Sequence, residues 1–93
     1  MTLDDLRTAL YAVLPEYPIR RVTLFGSRAD GTNREDSDVD LIMEFSAPVS
    51  LVTLSALKSR LEELLRLDVD IIHGPIRPTD LIEYHGGIEL YAA

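Results

Sequence analysis

The sequence predicts an α/β fold in which a small mixed β-sheet of three or four strands packs against helices. Three observations carry this prediction. Apolar residues recur at helical spacing in two stretches, short apolar runs alternate with those stretches, and Pro, Gly or polar residues separate the segments. The predicted order of elements is α-β-α-β-α-β-α. Because the segment that joins the first two strands is short, those strands can be antiparallel, which makes the sheet mixed.

The first half of the chain supplies a helix, a strand and a short helical turn. The first helix is predicted from apolar residues at helical spacing, namely Leu3, Leu6, Leu10, Val13 and Leu14. Thr2 or Asp4 caps its start, and Pro15 ends it. The first strand follows at residues 21–25. Residues 27–31 then form one or two helical turns, which a glycine ends.

A polar loop at residues 32–37 leads into the second strand, residues 38–45. Alternation along that strand places one apolar set on the face away from its acidic residues, namely Val39, Leu41 and Met43. After a Pro-containing break, a long amphipathic helix is predicted from a leucine stripe that we expect to be core: Leu51, Leu54, Leu57, Leu61, Leu64 and Leu65.

The last part of the chain is predicted to hold a third strand and a final helix. The strand is residues 68–73. The helix begins with Pro78 and Thr79, runs through about His85 and stops at Gly86-Gly87. Residues 88–91 form too short a run to be assigned.

Composition and charge narrow the class of protein. The chain has 93 residues and no cysteine, which predicts a single domain over residues 1–93 without disulfides or thiolate metal sites. The net charge of −7 argues against direct nucleic-acid binding and suits a basic protein partner or a metal–nucleotide complex. No apolar run is long enough to span a membrane, and the N-terminus does not resemble a signal peptide, so we expect a cytoplasmic protein.

The most informative pattern is Gly26-Ser27, a spacer of ten residues, and then Asp38-Val39-Asp40. Strand side chains alternate between faces, so Asp38 and Asp40 project from the same face. Neighbouring carboxylates repel each other unless a cation lies between them, and Mg²⁺ prefers such oxygen ligands together with water and phosphate. Glycine lets the backbone approach a phosphate, and a following helix N-terminus directs N–H groups at an anion. The pattern therefore predicts a phosphate-binding turn beside a metal site.

A third acidic position can complete this site. Asp68 and Asp70 begin the third strand on one face, and alternation alone does not choose between them. If the third strand lies beside the second, one of them joins the earlier pair around one or two Mg²⁺ ions, as suits phosphoryl or nucleotidyl transfer. That carboxylate can also accept the proton of an attacking hydroxyl. Each piece alone is more often a solvated strand end or an ordinary turn, so the combination carries the prediction.

These motifs resemble the nucleotidyltransferase superfamily typified by DNA polymerase beta, and within it the minimal nucleotidyltransferases, or MNT proteins. The matching segments are Phe25-Gly26-Ser27-Arg28-Ala29 and Ser37-Asp38-Val39-Asp40-Leu41. The family places its third acid between a valine and two aliphatic residues, as in Val69-Asp70-Ile71-Ile72. The resemblance therefore selects Asp70 over Asp68 and implies the polymerase beta-like nucleotidyltransferase fold over nearly the whole chain.

The chain departs from the family pattern at Asp30, where many relatives carry arginine. Because that arginine is basic and helps to hold phosphate or partner, its loss bears on nucleotide affinity or substrate choice. Arg28 remains beside the Gly-Ser turn, and Arg34 is available as a partial substitute.

The resemblance implies Mg²⁺-dependent transfer of AMP from ATP to a hydroxyl. The implied catalytic and metal-binding residues are Asp38, Asp40 and Asp70. The implied phosphate-binding residues are Gly26, Ser27 and Arg28. Many minimal members are antitoxins paired with a HEPN-domain toxin, which implies AMP transfer to a tyrosine of that toxin.

Two other functions stay open from the sequence. The chain is alternatively an antitoxin that neutralises its partner by binding alone, or an enzyme that adenylylates a small molecule such as an aminoglycoside. The intact carboxylates favour catalysis over binding alone, and the absence of a second domain weighs against the small-molecule enzyme. A domain of this size has room for a metal and a triphosphate but little for an acceptor. We therefore expect a homo- or hetero-oligomer to complete the active site.

Overall fold

The computed structural model describes residues 1–31, 33–74 and 87–93, apart from the side chain of Asp30. The α-helices of this part of the chain are α1 (Leu3–Val13), α2 (Ser27–Asp30) and α3 (Leu51–Leu65), and a short 3₁₀ helix (Leu14–Glu16) follows α1. The strands are β1 (Ile19–Phe25), β2 (Val39–Phe45), β3 (Val69–His73) and β4 (Ile88–Ala92). The final helix predicted between Pro78 and His85 lies outside the described residues.

The strands form one mixed sheet in the order β3-β2-β1-β4. β1 is antiparallel to both β2 and β4, and β2 is parallel to β3. This arrangement confirms the predicted small mixed sheet, including the antiparallel pairing of the first two strands. The sequence left β4 unassigned because five residues at a sheet edge carry too little periodic signal.

Local sequence signals explain where the long helices begin and end. The Thr2 hydroxyl accepts a hydrogen bond from the Asp5 amide at 3.1 Å, and the Asp5 carboxylate accepts one from the Thr2 amide at 2.8 Å. Thr2 is therefore the cap, and these hydrogen bonds hold the pKa of Asp5 below its ordinary value. Ser50 caps α3 by accepting from the Thr53 amide at 3.1 Å, and Arg66 ends it in a left-handed conformation.

Helices α1 and α3 contact each other and cover one face of the sheet. The predicted core face of β2 is confirmed, because Val39, Leu41 and Met43 are fully buried. The residues that pack with them from the helices and the other strands include Leu6, Leu10, Val13, Val22, Leu24, Leu57, Leu61 and Val69. With the core on this side, the acidic residues of β2 lie on the opposite face.

The leucine stripe of α3 is core only in part. Leu57 and Leu61 are fully buried, whereas Leu51 and its neighbour Val52 are 82% and 80% exposed. Helical spacing identifies the apolar face of a helix, but it does not say how far along the helix the covering layer extends.

We predict that Leu57→Ala lowers the free energy of unfolding by about 2–5 kcal/mol, since it leaves a cavity in the core. The matched change Leu51→Ala, on the same helix, removes an exposed side chain and should stay within about 0.5 kcal/mol of the unchanged protein. Chemical denaturation of both variants measures the difference. Equal losses would contradict the assignment of the two ends of α3.

Candidate active site

The register of the sheet brings two acidic side chains together. Asp40 of β2 lies opposite Asp70 in the parallel β3, and Phe25 at the end of β1 lies opposite Asp40 on the other side. Asp68 precedes β3, and its carbonyl accepts a hydrogen bond from the Val39 amide at 2.8 Å. The register thus makes Asp70 the neighbour of Asp40, a choice that alternation alone leaves open.

Gly26 joins β1 to α2 directly beside the Asp40 carboxylate. Its φ of 77° and ψ of −156° lie in a region that is essentially restricted to glycine. A Cβ at this position would lie 2.6 Å from Asp40 Oδ2, which is too close for any real side chain. The turn of the Gly-Ser motif and the metal-site candidate are therefore in van der Waals contact, and only glycine permits that contact.

α2 is a single turn that starts at Ser27. The Ala29 amide donates to the Gly26 carbonyl at 3.0 Å, and Gly31 ends the turn with a φ of 83°. The structure confirms the predicted short helix and its glycine stop. Ser27 is partly buried and follows Gly26, which lies beside the Asp40 carboxylate.

Burial and repulsion make Asp40 costly to ionise. Partial burial raises the pKa of Asp40 above its ordinary value of 3.8, and the nearby Asp70 and Asp38 carboxylates raise it further, as does a hydrogen bond with Asp70. A cation placed between these groups would reverse that penalty. This is the electrostatic situation that the sequence predicts for a metal site.

The three carboxylates do not form a ready-made cluster. Within residues 1–31, 33–74 and 87–93, no three His, Cys, Asp or Glu side chains lie close enough together to hold a metal ion. Asp38 is exposed at the end of the loop before β2, although it is near enough to repel Asp40. The donor set nevertheless fits Mg²⁺, which commonly takes one or two carboxylates and completes its shell with water and phosphate.

Arg28 is predicted from the sequence to bind phosphate. In the structure its side chain donates hydrogen bonds to the backbone of the loop before Asp38. Its Nε and Nη2 donate to the Ser37 carbonyl at 3.0 and 2.7 Å, and Nη2 also donates to the Glu35 carbonyl at 3.0 Å. Arg34 is exposed, and the side chain of Asp30 lies outside the described residues.

Sequence reasoning did not find the ion pairs that link a group of charges on the same face of the sheet. Arg21 lies within β1 and pairs with Glu44 of β2 at 3.4 Å and with Glu89 of β4 at 3.3 Å. Period-two alternation could have found it, since Arg21 shares a face with Phe25 and Glu44 shares one with Asp40. The pairing links three strands on the face that carries the acidic site.

A cavity of about 500 Å³ lies elsewhere, between the start of α1 and the C-terminal end of α3. Its lining includes Ala9, Leu65 and Glu35 but none of the three candidate carboxylates. The acidic face is thus not the wall of this cavity. Among the described helices, none combines the length and apolar character needed to cross a membrane.

The sequence model of the family described as polymerase beta, nucleotidyltransferase, matches residues 9–90 of the chain. The chain belongs to this family. The nucleotidyltransferase signature that the sequence suggested and the enzyme class it implied are therefore confirmed, and the matched region covers the Gly-Ser turn and both acidic strands.

Relatives of this nucleotidyltransferase support the assignment. The protein adenylyltransferase MntA of Thermococcus cleftensis is 36% identical over 76 residues, which cover 77% of this chain and 77% of that protein. A solved structure named "Structure of putative minimal nucleotidyltransferase" is 34% identical, covers 95% of both chains and has a TM-score of 0.74.

More distant structures share the fold of this nucleotidyltransferase. A toxin–antitoxin crystal structure with AMP-PNP has a TM-score of 0.76 at 22% identity and covers 94% of this chain and 73% of that one. A tri-AMPylated HEPN toxin of Shewanella oneidensis in complex with an MNT antitoxin gives 0.71 at 18% identity, with coverages of 99% and 74%. At these identities the likeness shows the fold alone.

We predict that Gly26→Ala destabilises the nucleotidyltransferase more than Gly31→Ala does. Gly31 is in the left-handed α conformation, which costs an L-residue about 1–2 kcal/mol, and a Cβ there meets nothing within 4 Å. Gly26 is in the region essentially restricted to glycine, and a Cβ there would also meet the Asp40 carboxylate. Denaturation in an Asp40→Ala background is the control, because removing the carboxylate should recover part of the Gly26→Ala loss. An unchanged loss in that background would show that the contact with Asp40 is not its cause.

We predict that Asp40→Asn stabilises the metal-free nucleotidyltransferase at neutral pH. The raised folded-state pKa means that ionised Asp40 opposes folding; this penalty is complete above the folded pKa and disappears below the unfolded value near 3.8. The gain in Tm should therefore shrink as the pH falls through the folded-state pKa. Asp36→Asn, in the exposed preceding loop, is the control for loss of one negative charge and should give no such gain.

Proposed function

We propose that the chain transfers AMP from ATP, with Mg²⁺, to a tyrosine hydroxyl of a HEPN-domain toxin and so acts as its antitoxin. The observation that carries the proposal is the pairing of Asp40 with Asp70 against the Gly26 turn. This places a carboxylate pair suited to a cation directly beside a turn whose backbone can approach phosphate.

In this proposal Asp40 and Asp70, with Asp38 from the preceding loop, would hold Mg²⁺, and the ion would offset the negative charge of the triphosphate. The backbone at Gly26 and Ser27 binds the outer phosphates. No side chain projects from position 26, so the triphosphate can approach the Asp40 carboxylate closely.

Asp70 lies at the exposed end of this pair, where an acceptor hydroxyl from a second protein can reach it. Asp70 accepts the proton of the tyrosine hydroxyl as the phenolic oxygen attacks the α-phosphorus. A bond forms between these two atoms, the bond from the α-phosphorus to the oxygen that bridges to the β-phosphorus breaks, and pyrophosphate leaves.

Two comparisons support a protein acceptor over a small molecule. The T. cleftensis relative is named a protein adenylyltransferase, and an MNT antitoxin with the same fold occurs in complex with an AMPylated HEPN toxin. The net charge of −7 also suits a basic partner, since opposite charges accelerate association.

We predict that Asp70→Asn lowers the rate of AMP transfer by about 10²-fold or more, because it removes both a metal ligand and the proton acceptor. The matched change Asp68→Asn, two residues earlier in the chain, should leave the rate within a few-fold. The measurement is intact-protein mass spectrometry of a HEPN toxin, starting with one encoded in the same operon, incubated with the chain, Mg²⁺ and ATP.

The same experiment separates catalysis from neutralisation by binding. AMP adducts on the toxin that disappear with Asp70→Asn support the proposal. A toxin that is silenced in a stable complex without any adduct would replace it with the binding-only antitoxin. Adducts on an aminoglycoside but not on the toxin would replace it with the small-molecule enzyme.

A further inference from the structure

Arg28 occupies an unusual position for a basic residue beside a phosphate-binding turn. It follows Ser27 in α2, and its side chain is partly buried. The guanidinium donates two hydrogen bonds to the Ser37 carbonyl and one to the Glu35 carbonyl. Among the described carboxylates, none forms an ion pair with Arg28. The guanidinium therefore hydrogen-bonds to the backbone of the loop that precedes Asp38.

That loop is closed on itself by Ser37. The Ser37 hydroxyl accepts a hydrogen bond from the Arg34 amide at 2.8 Å, and the Ser37 amide donates to the Arg34 carbonyl at 3.1 Å. Arg28 adds its two donor atoms to the outer side of this turn. The planar fork of arginine can reach two carbonyls at once, which the single ammonium of lysine does not reproduce.

Asp38 stands between two anchors as a result. On its N-terminal side the Ser37 carbonyl is held by Arg28, and on its C-terminal side the Val39 amide donates to the Asp68 carbonyl at 2.8 Å. The first contact connects the loop to α2, which follows the Gly26–Ser27 turn. The second contact connects it to the residue before β3, the strand that carries Asp70. The backbone of Asp38 is thereby fixed relative to both halves of the site.

We infer that Arg28 is a positioning residue: it holds the loop of residues 34–37 so that Asp38 can join Asp40 and Asp70 around a divalent cation. Arg28 then sets cation affinity through the backbone and does not bind the triphosphate. The inference rests on the proposed metal-dependent function. It changes the role that the sequence suggested for Arg28, which was direct phosphate binding.

The positive charge of Arg28 allows its positioning role to be tested. Arg28 is a cation close to a cation site, so removing it would by electrostatics alone strengthen metal binding. Loss of the loop anchor has the opposite effect, because groups that orient metal ligands typically account for about 10- to 100-fold in metal affinity. The direction of the change therefore distinguishes the two roles.

The experiment measures Mn²⁺ binding to the nucleotide-free protein by electron paramagnetic resonance. We expect Arg28→Ala and Arg28→Lys to weaken Mn²⁺ binding by about 10-fold or more. Arg34→Ala is the matched control, since Arg34 is an exposed arginine of the same loop that hydrogen-bonds to Ser37 and Asn33 through its backbone, which the substitution leaves in place. Arg34→Ala should bind Mn²⁺ as well as the unchanged chain or more tightly.

A second readout follows the loop itself. Hydrogen exchange of the Ser37 amide, which donates to the Arg34 carbonyl, should accelerate in Arg28→Ala while exchange in α1 and β1 stays unchanged. Arg28→Lys keeps the charge and most of the bulk, so it provides the same test if the alanine variant does not fold.

Unchanged or tighter Mn²⁺ binding by the folded Arg28 variants, with weaker binding of AMP-PNP at saturating Mn²⁺, would overturn the positioning role and restore direct phosphate contact. That result leaves the proposed function intact. Failure of the unchanged chain to bind Mn²⁺ at all would instead overturn both the cation site and the positioning role that depends on it.

Discussion

The placement of Asp40 beside Asp70 and against the Gly26 turn is the constraint on which the candidate site depends. Parallel pairing of β2 with β3 places the two acids in register. Antiparallel pairing of β2 with β1 brings Gly26, at the end of β1, next to Asp40. The crossover through α3 makes the parallel pairing possible, because adjacent parallel strands need a long connection. With α1 and α3 both packed on the core face, the acidic face is not covered by these two long helices.

The side-by-side carboxylates lower the stability of this small fold, although the proposed function requires them. The core draws on one face of the sheet and two helices, while the other face keeps a carboxylate whose pKa is raised by burial and by its neighbours. Electrostatic cost of this kind is common where charge is arranged for binding, and it is offset elsewhere in the fold. The capping box at Thr2 and Asp5 and the fully buried leucines of α1 and α3 contribute stability to the same fold.

Much of the fold and the core of the candidate site could be predicted from the sequence, because both depend on periodicity. Alternation gave the buried face of β2, and the glycine of the Gly-Ser motif marked a backbone that no other residue can adopt. The choice of Asp70 over Asp68 needed either the family pattern or the register, since both residues share a face. The exposed start of α3 at Leu51 and the backbone contacts of Arg28 could not be predicted, because each depends on where another segment lies.

In the proposed function the acidic pair and the Gly-Ser turn bind one metal–nucleotide complex together. Isothermal titration of the chain with AMP-PNP, in Mg²⁺ and again in EDTA, tests this most directly. We expect binding in Mg²⁺ that is lost in EDTA, since the triphosphate and the carboxylates repel each other without a cation. Equal binding in both conditions would contradict the claim, because the phosphates would then be held without the acidic pair.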